Sequence, residues 1–305
     1  MSLLPLRPLR FGEIVDGTLQ LYRRDFGLYY LAALLAAVGS HLLLQATGID
    51  QVPLPVGDET DPFAAMANVL PDMGTMLVGA LAASAIHSVG AIAVCSAMTE
   101  RIAERPATVA GSYLTALGRL PSVWGALLLA GLIGLACIGA LALAVGIVTA
   151  LASAIGGILG LALAGSAGTA LLFAATAFLF GAFFGILPAA VSEGRGPLGA
   201  LGRSLDLFRA GWLRVTGVMA VAMIVATVPS VAIVGLMGVG GAFAAPEAAG
   251  QVSSVGMWLS GIASLAFGAL TLPFTVGSAM VLFHDQRVRT EGYDLEARAR
   301  EMGGD

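Results

Sequence analysis

Charged side chains are scarce in this sequence, and lysine is missing altogether. Only 11% of the 305 residues are charged, and all 15 basic residues are arginines. Soluble domains carry roughly 25% charged residues, and a mean hydropathy of +0.91 is far too apolar for one. The scarcity therefore excludes a water-soluble globular protein. The net charge is −4, whereas nucleic-acid-binding proteins usually carry an excess of basic residues, so we expect no nucleic acid as a partner.

Cysteine and histidine are almost as rare, which limits the chemistry open to the chain. Cys95 and Cys137 lie within apolar runs and are expected to be small buried hydrophobic residues rather than a disulfide or a metal-binding pair. No HxxE, HExxH, CxxC or GxSxG motif occurs. The glycine-rich turn at 193–196 lacks the spacing and the lysine of a phosphate-binding loop. We therefore expect no catalytic, cofactor-binding or metal-binding residues, no cofactor and no enzymatic activity.

Long apolar runs make up most of the chain. A membrane-spanning helix needs about 20 mainly apolar residues, and the sequence contains six such runs. No charged residue occurs from Val123 to Val191, which is too long for one helix to cross a hydrocarbon core of about 30 Å. This stretch must turn back, with breaks predicted at Gly156 and Gly157 and at 165–168, and the segment between the two spans is expected at the outer membrane interface. The predicted spans are 27–47, 73–97, 123–151, 168–191, 215–239 and 255–283.

The distribution of arginine determines the expected orientation, because basic residues in short loops stay on the cytoplasmic side. With six spans, every arginine falls in the N-terminal segment, the loops after spans two and four, or the C-terminal tail. Five or seven spans would break this partition. We therefore expect a multi-pass protein of the plasma (inner) membrane with both termini in the cytoplasm. The charged residues of the other loops are all acidic, namely Asp50, Asp58, Glu59, Asp61, Asp72 and Glu247.

Apolar residues recur every three or four positions in three segments that precede spans one, three and five. Each stripe opposes a polar face, as in helices that lie in the membrane interface. The motifs LQLYR (19–23), LTALGR (114–119) and LDLFR (205–209) hold matching places in these segments. Either three hairpin units repeat, at about 9–98, 106–192 and 196–284, or three surface helices have converged on one pattern. The stripes are Phe11, Ile14, Val15, Thr18, Leu19, Tyr22 and Phe26; Val109, Tyr113, Leu117, Leu120 and Trp124; and Leu198, Leu201, Leu205, Phe208 and Trp212.

The predicted fold is therefore an all-α, polytopic integral membrane protein. It forms a single membrane domain over residues 1–305, with six transmembrane helices, three amphipathic interfacial helices on the cytoplasmic side, and a cytoplasmic tail at 285–305. In the tail, Asp285 and Arg289 have the i,i+4 spacing of a helical ion pair, as do Glu296 and Arg300. This spacing predicts a short solvated helix.

Three segments resemble a known family of membrane proteins. They are LRPLRFGEIVDGTLQLYRRDFG (6–27), PAAVSEGRGPLGALGRSLDLFRAGWLRVTG (188–217) and LFHDQRVRTEGYDLE (282–296), at the start, centre and end of the chain. The chain is thereby similar to the glycerophosphoryl diester phosphodiesterase membrane domain family of bacteria and archaea, with His284 and Gln286 where that family has Tyr and Leu. The resemblance implies about six spans. It implies no activity, because the family is named after members fused to a phosphodiesterase barrel.

Two histidines lie within predicted spans, where ionisable side chains are functional candidates. His41 in span one and His87 in span two could face each other across the first hairpin. Either they form a polar contact on a transport or proton path, or they are neutral imidazoles hydrogen-bonded within the bundle. A single pair without a carboxylate makes a poor proton relay, which favours the second interpretation.

Five arginines are the candidate contacts to lipid. Anionic headgroups attract basic residues near the membrane surface by about 1 kcal/mol each, although topology alone also places arginine on this side. The candidate headgroup contacts on the cytoplasmic leaflet are Arg23, Arg24, Arg119, Arg203 and Arg209.

These features favour a non-catalytic integral membrane protein that acts as a membrane scaffold or partner subunit and interacts with lipid. Its expected partners are membrane lipids with anionic headgroups and a membrane protein. The alternative is a transporter or lipid-moving protein, favoured by the histidine pair and by prolines in or near the later spans, where broken helices build transport sites. These prolines are Pro188, Pro229 and Pro273.

Overall fold

The computed structural model describes residues 7–47, 62–244 and 254–291, and these ranges contain helices and no strand. The all-α prediction is confirmed. The predicted pair Glu296 and Arg300 lies outside the described residues, as do all the outer acidic residues except Asp72. The helices are α1 (Phe11–Arg24), α2 (Phe26–Thr47), α3 (Pro62–Ile102), α4 (Val109–Ala182), α5 (Ile186–Ser192), α6 (Pro197–Arg209), α7 (Trp212–Ala244) and α8 (Ser254–Glu291).

Several of these helices are long and apolar enough to cross a membrane. Four stretches of the described residues meet that test, and a fifth does so if α6 and the first part of α7 are taken as one bent span. The bend between these two helices is 110°. The four stretches are Phe26–Ala46, Leu77–Ile102, Val109–Ser192 and Gly261–Glu291.

The longest helix, α4, reverses direction at Gly157. Its φ of 56° and ψ of −139° are not helical, and glycine adopts this conformation without the steric cost of a Cβ. The two limbs of α4 are antiparallel, because Gly160 contacts the backbone of Ala152 and Gly168 contacts Val145. The predicted break at Gly156 and Gly157 is confirmed.

The segment between the two limbs, predicted at the outer membrane interface, forms the tip of this helical hairpin, and its depth in the membrane stays a prediction. Residues 152–167 are helical on both sides of Gly157, and the run contains no proline to stop the helix. The predicted break at 165–168 is wrong for the same reason. Gly168 instead allows the two limbs to approach closely, as small residues do between membrane helices.

Helix α1 lies antiparallel along the C-terminal half of α8. Leu9, just before α1, hydrogen-bonds to Asp285, while Thr18 contacts Gly277 and the Tyr22 hydroxyl donates to the Leu270 carbonyl at 2.8 Å. The stripe of α1 was expected to face the membrane interface. For three of its members, Ile14, Thr18 and Tyr22, that expectation is wrong, because they are buried within the protein. Phe11 and Leu19 remain exposed.

The other two amphipathic segments differ from each other. Residues 109–124 do not form a separate helix, because α4 continues through Pro121 into its first limb. Residues 198–212 do contain a separate helix, α6, which begins with Pro197 at a position where proline needs no hydrogen-bond partner. Leu201 and Phe208 of its stripe are buried, while Leu198 and Trp212 are exposed.

The core contains buried residues of all eight described helices, with those of α4 mostly at its start and those of α8 mostly in its second half. Many of its residues are alanines, which let helix axes approach closely. Residues 92–98 of α3 are all buried, and Gly90 contacts Ala36 of α2. The core thereby fixes the position of the end of α5, the start of α7 and the end of α8, where several charged residues lie. Its largest buried side chains include Ile92, Met98, Ile186, Leu207, Met219 and Leu282.

Candidate functional site

The first charged centre, here called the Asp285 clamp, consists of Asp285, Arg214, Arg289 and the backbone of Leu9. Asp285 Oδ1 accepts a hydrogen bond from the Leu9 N–H at 2.7 Å, and Oδ2 accepts from Nε of Arg289 at 3.0 Å and of Arg214 at 3.2 Å. Both guanidinium groups also donate to the Leu9 carbonyl. Asp285 is fully buried, so its charge depends on these partners.

The clamp changes the interpretation of the C-terminal segment. The predicted i,i+4 pair of Asp285 and Arg289 is present. The expectation of a solvated helix is wrong for the start of this segment, because Asp285, Gln286 and Val288 are buried and belong to α8. The reason is a long-range contact: Leu9 in the segment before α1 and Arg214 of α7 supply the polar partners that water would otherwise provide.

The second charged centre, here called the Glu193 cluster, joins α5, α6 and α8. Glu193 pairs with Arg195 at 2.6 Å, Arg203 at 3.1 Å and Arg287 at 3.6 Å. Arg203 and Arg287 also pair with Glu291. The same two guanidinium groups lie 6.0 Å from the ring centroid of Phe283, within the range of a cation–π contact. The Glu193 cluster therefore connects the turn after α5 with the end of α8.

Arg119 of α4 reaches the same cluster. Its guanidinium group lies beside Gly194, where a Cβ would come within 3.3 Å of Nη1. Gly194 has a φ of 68°, a backbone conformation that favours glycine at this turn. Arg119 makes no ion pair with any residue in the described ranges, and it is half-buried.

The five predicted headgroup contacts have different surroundings. Arg203 has only 14% of its side chain exposed and is paired with two carboxylates. Arg119 lies with Arg203 at the Glu193 cluster. Arg23 and Arg24 are exposed at the end of α1, and Arg209 is 76% exposed with Asp206 at 3.9 Å. The structure thus brings two of the five together and leaves three on the surface.

The two histidines are not joined by a hydrogen bond. His41 is half-buried, lies beside Gly261 of α8 and is 3.4 Å from the Gln45 side chain through its Nε2. His87 is exposed on α3. The sequence placed the two histidines in the correct helices, α2 and α3, but not on faces that bring their side chains together.

The start of α1 is held by a local network. The Arg7 side chain donates to both oxygens of Glu13, at 2.7 and 3.1 Å, and the Arg10 N–H donates to Glu13 Oε2 at 2.6 Å. The hydrogen bonds from Arg7, followed by that from the Arg10 backbone, lower the pKa of Glu13 to about 2. Further along α1, burial raises the pKa of Tyr22 to about 12.

A separate ion pair joins Arg101 at the end of α3 to Asp25, the residue between α1 and α2, at 2.9 Å. Asp25 Oδ2, Arg101 Nε and the hydroxyl of buried Tyr29 have no hydrogen-bond partner among the described residues. Buried polar atoms of this kind are usually satisfied by ordered water.

An apolar cleft of about 410 Å³ lies between both limbs of α4 and helices α5, α7 and α8. Two of its lining residues are threonines, and their hydroxyls donate to their own helices, from Thr176 to the Leu172 carbonyl and from Thr275 to the Thr271 carbonyl. The cleft therefore presents hydrocarbon to whatever enters it. Sequence reasoning missed the cleft, because its walls come from distant segments that carry no shared motif. Its walls include Leu127, Gly131, Phe180, Phe184, Met219 and Ala279.

Within the described ranges, no three His, Cys, Asp or Glu side chains are grouped to hold a metal ion. Cys95 is buried with its Sγ 3.4 Å from Met280 Sδ, and Cys137 is exposed; neither forms a disulfide. Comparisons with family models, with curated proteins and with solved structures found no match to the chain.

Proposed function

We propose that the chain is a non-catalytic integral membrane protein that acts as a membrane scaffold or partner subunit and contacts membrane lipids. One observation carries the proposal: in the described ranges, nearly all of the buried and half-buried charged side chains pair with one another and thereby assemble the protein itself. The Asp285 clamp fastens α1 to α7 and α8, and the Glu193 cluster fastens α5 and α6 to α8. A layer of short helices fastened by ion pairs to apolar helices suits a platform for another protein.

The proposed topology has six crossings of the plasma (inner) membrane and cytoplasmic termini. The reversal at Gly157 supports two crossings within Val109–Ser192, and α2, α3, α7 and α8 supply four more. The orientation rests on the arginine distribution. The Asp285 clamp and the Glu193 cluster would then lie on the cytoplasmic side, near anionic headgroups that Arg23, Arg24 and Arg209 contact.

We further propose membership of the glycerophosphoryl diester phosphodiesterase membrane domain family. The three resembling segments supply the partners in the two charged centres. Segment 6–27 contributes Leu9, segment 188–217 contributes Glu193, Arg203 and Arg214, and segment 282–296 contributes Asp285 and Arg287. Segments that are far apart in the sequence but bind one another are the ones a shared architecture would retain.

The test is isolation of the full chain from its own membrane in polymer-bounded lipid discs, followed by native mass spectrometry. We expect a protein partner at fixed stoichiometry. Phe11→Asp and Leu198→Asp change exposed apolar side chains of the platform and should abolish the partner while the protein stays folded. Gln20→Asp adds the same charge at another exposed position of α1 and should retain it. Isolation of the wild-type protein without any stoichiometric protein partner would refute the scaffold.

The apolar cleft favours a second candidate, a transporter or lipid-moving protein. Such a protein reconstituted in vesicles would move a fluorescent phospholipid between leaflets, which an impermeant quencher detects. A role of the histidines would appear as loss of this movement in His41→Ala or His87→Ala. A scaffold tolerates both changes, so the two candidates predict opposite outcomes.

A further inference from the structure

The apolar cleft has the size and the lining of a site for a hydrocarbon chain. Its volume of about 410 Å³ lies within the range of ligand pockets, roughly 300–1,000 Å³. Leu127 and Phe180 in its wall are partly exposed, and Gly131 is exposed, so the cleft opens to the outside of the helix bundle. In a membrane, the molecules next to this opening are lipids.

One end of the cleft leads to the charged residues on four separate elements. Arg119 precedes the lining residue Leu127 by eight residues on α4, and Arg214 precedes Met219 by five on α7. Arg287 follows Ala279 by eight residues on α8, and Glu193 follows Ile186 by seven at the end of α5. At a helical rise of about 1.5 Å per residue, these separations are roughly 8–12 Å. The Glu193 cluster with Arg119, and Arg214 of the Asp285 clamp, therefore lie just beyond this end.

The charges at that end favour an anion. In the Glu193 cluster, the two carboxylates Glu193 and Glu291 meet the three guanidinium groups of Arg195, Arg203 and Arg287, and Arg119 adds a fourth beside Gly194. The excess is two positive charges. Arg195 is 44% exposed, so a ligand can reach it. Arginine binds phosphate well, because its planar fork donates two parallel hydrogen bonds.

We infer that this cleft binds one phospholipid with a net negative headgroup, with an acyl chain in the cleft and its phosphate at Arg119 and Arg195. The inference deepens the proposed contact with lipids and rests on it. It assigns to Arg119 a partner from outside the chain. It also explains why the apolar cleft ends at a cluster with excess positive charge.

The test is native mass spectrometry of the full-length protein, incubated in detergent with equimolar dioleoyl phosphatidylglycerol and dioleoyl phosphatidylcholine. We expect one bound phosphatidylglycerol, retained about tenfold more than phosphatidylcholine. Gly131→Leu and Gly134→Leu should each reduce this retention about tenfold, since the space around both Cβ positions is open and the new side chain fills the cleft. Gly146→Leu is the control on the same limb; it is exposed and away from the cleft wall, and should retain the lipid.

The headgroup contact is tested with Arg119→Ala combined with Arg195→Ala. This variant should lose the preference for phosphatidylglycerol, whereas Arg105→Ala, an exposed arginine paired with Glu100, should keep it. Size-exclusion profiles establish that the variants are folded. Equal retention of the two lipids by the wild type, or unchanged retention in both leucine variants, would overturn the inference. The scaffold proposal would survive either result, because the stoichiometric protein partner is detected separately.

Discussion

The carboxylate of Asp285 accepts hydrogen bonds from α7, from α8 and from the segment before α1, so we expect its removal to be costly. Asp285→Ala removes the carboxylate that pairs with two guanidinium groups and accepts from the Leu9 N–H, and leaves the two guanidinium groups only the Leu9 carbonyl. Breaking a buried ion pair costs about 3–5 kcal/mol, and the partial exposure of Arg214 and Arg289 favours the lower end of that range. Denaturant titration in mixed micelles should therefore show a loss of about 3 kcal/mol in the free energy of unfolding.

Asp206→Ala is the matched control for this substitution. Asp206 is 71% exposed and lies 3.9 Å from Arg209, so its removal should cost less than about 1 kcal/mol. Equal losses in the two variants would mean that the Asp285 clamp does not fasten α1.

Glu13 should make the start of α1 sensitive to acid. Its pKa of about 2 in the folded protein lies below its ordinary value of 4.5, so the stabilisation is complete above about pH 4.5 and is lost as pH falls towards 2. Hydrogen-exchange protection of the Arg10 amide, corrected for intrinsic rates, should fall over this interval. In Glu13→Gln, the protection should be lower at neutral pH and nearly independent of pH. An unchanged wild-type protection factor at pH 2 would contradict this expectation.

Single residues also mark the limit of sequence reasoning. The pair of Asp285 and Arg289 was predictable, because i,i+4 neighbours meet on any helix. The burial of Asp285 was not, because its partner Leu9 is 276 positions away. The expectation that His41 and His87 face each other failed for a similar reason. A hydropathy pattern places a residue in a helix but leaves open which way its side chain faces when all faces of the helix are apolar.

The α4 hairpin depends on the backbone conformation of Gly157. Any residue with a Cβ is strained at this φ and ψ, so Gly157→Ala should lower the free energy of unfolding by about 1–3 kcal/mol. Gly156→Ala is the control, since Gly156 has ordinary dihedral angles and no atom near its Cβ position. It should be neutral or stabilise by up to about 1 kcal/mol. A comparable loss in both variants would point to contacts in place of backbone strain.

Among the helices, the sequence predicted best where a local signal was strong. Gly157 and the lack of charge around it indicated a hairpin, and α4 reverses direction at this residue. The stripe of α1 was more ambiguous. A half-apolar helix can bury its stripe in lipid or in protein, and Gly277 on α8 provides the flat surface that favours protein.

The proposed topology of the whole molecule predicts which loops face the outside of the cell. In a Cys137→Ala background, where the remaining Cys95 is buried, Ile158→Cys at the hairpin tip should react with an impermeant maleimide in intact cells. Arg105→Cys in the loop between α3 and α4 should react only after the membrane is opened. If only Arg105→Cys were labelled in intact cells, the orientation would be the opposite of the proposed one. Labelling of both positions would require a different number of crossings.

For the molecule as a whole, composition predicted the class of the fold, because almost any membrane helix can be recognised from its own residues. The apolar cleft and the two charged centres could not be recognised in that way. The cleft is assembled from five segments of the chain and each charged centre from three, and their meeting depends on helix crossings that hydropathy does not encode.

The contact between Leu9 and Asp285 has a consequence for biosynthesis. A ribosome that adds about 5–20 residues per second needs roughly 14–55 seconds to make the 276 residues that separate them. Throughout that time α1 has been made but its final partners have not. Its stripe of Ile14, Thr18 and Tyr22 suits a helix lying in the membrane interface, where the nascent chain can keep it until α8 emerges. The amphipathic pattern would then reflect the position of α1 during synthesis, and the Asp285 clamp would fix its position in the folded protein.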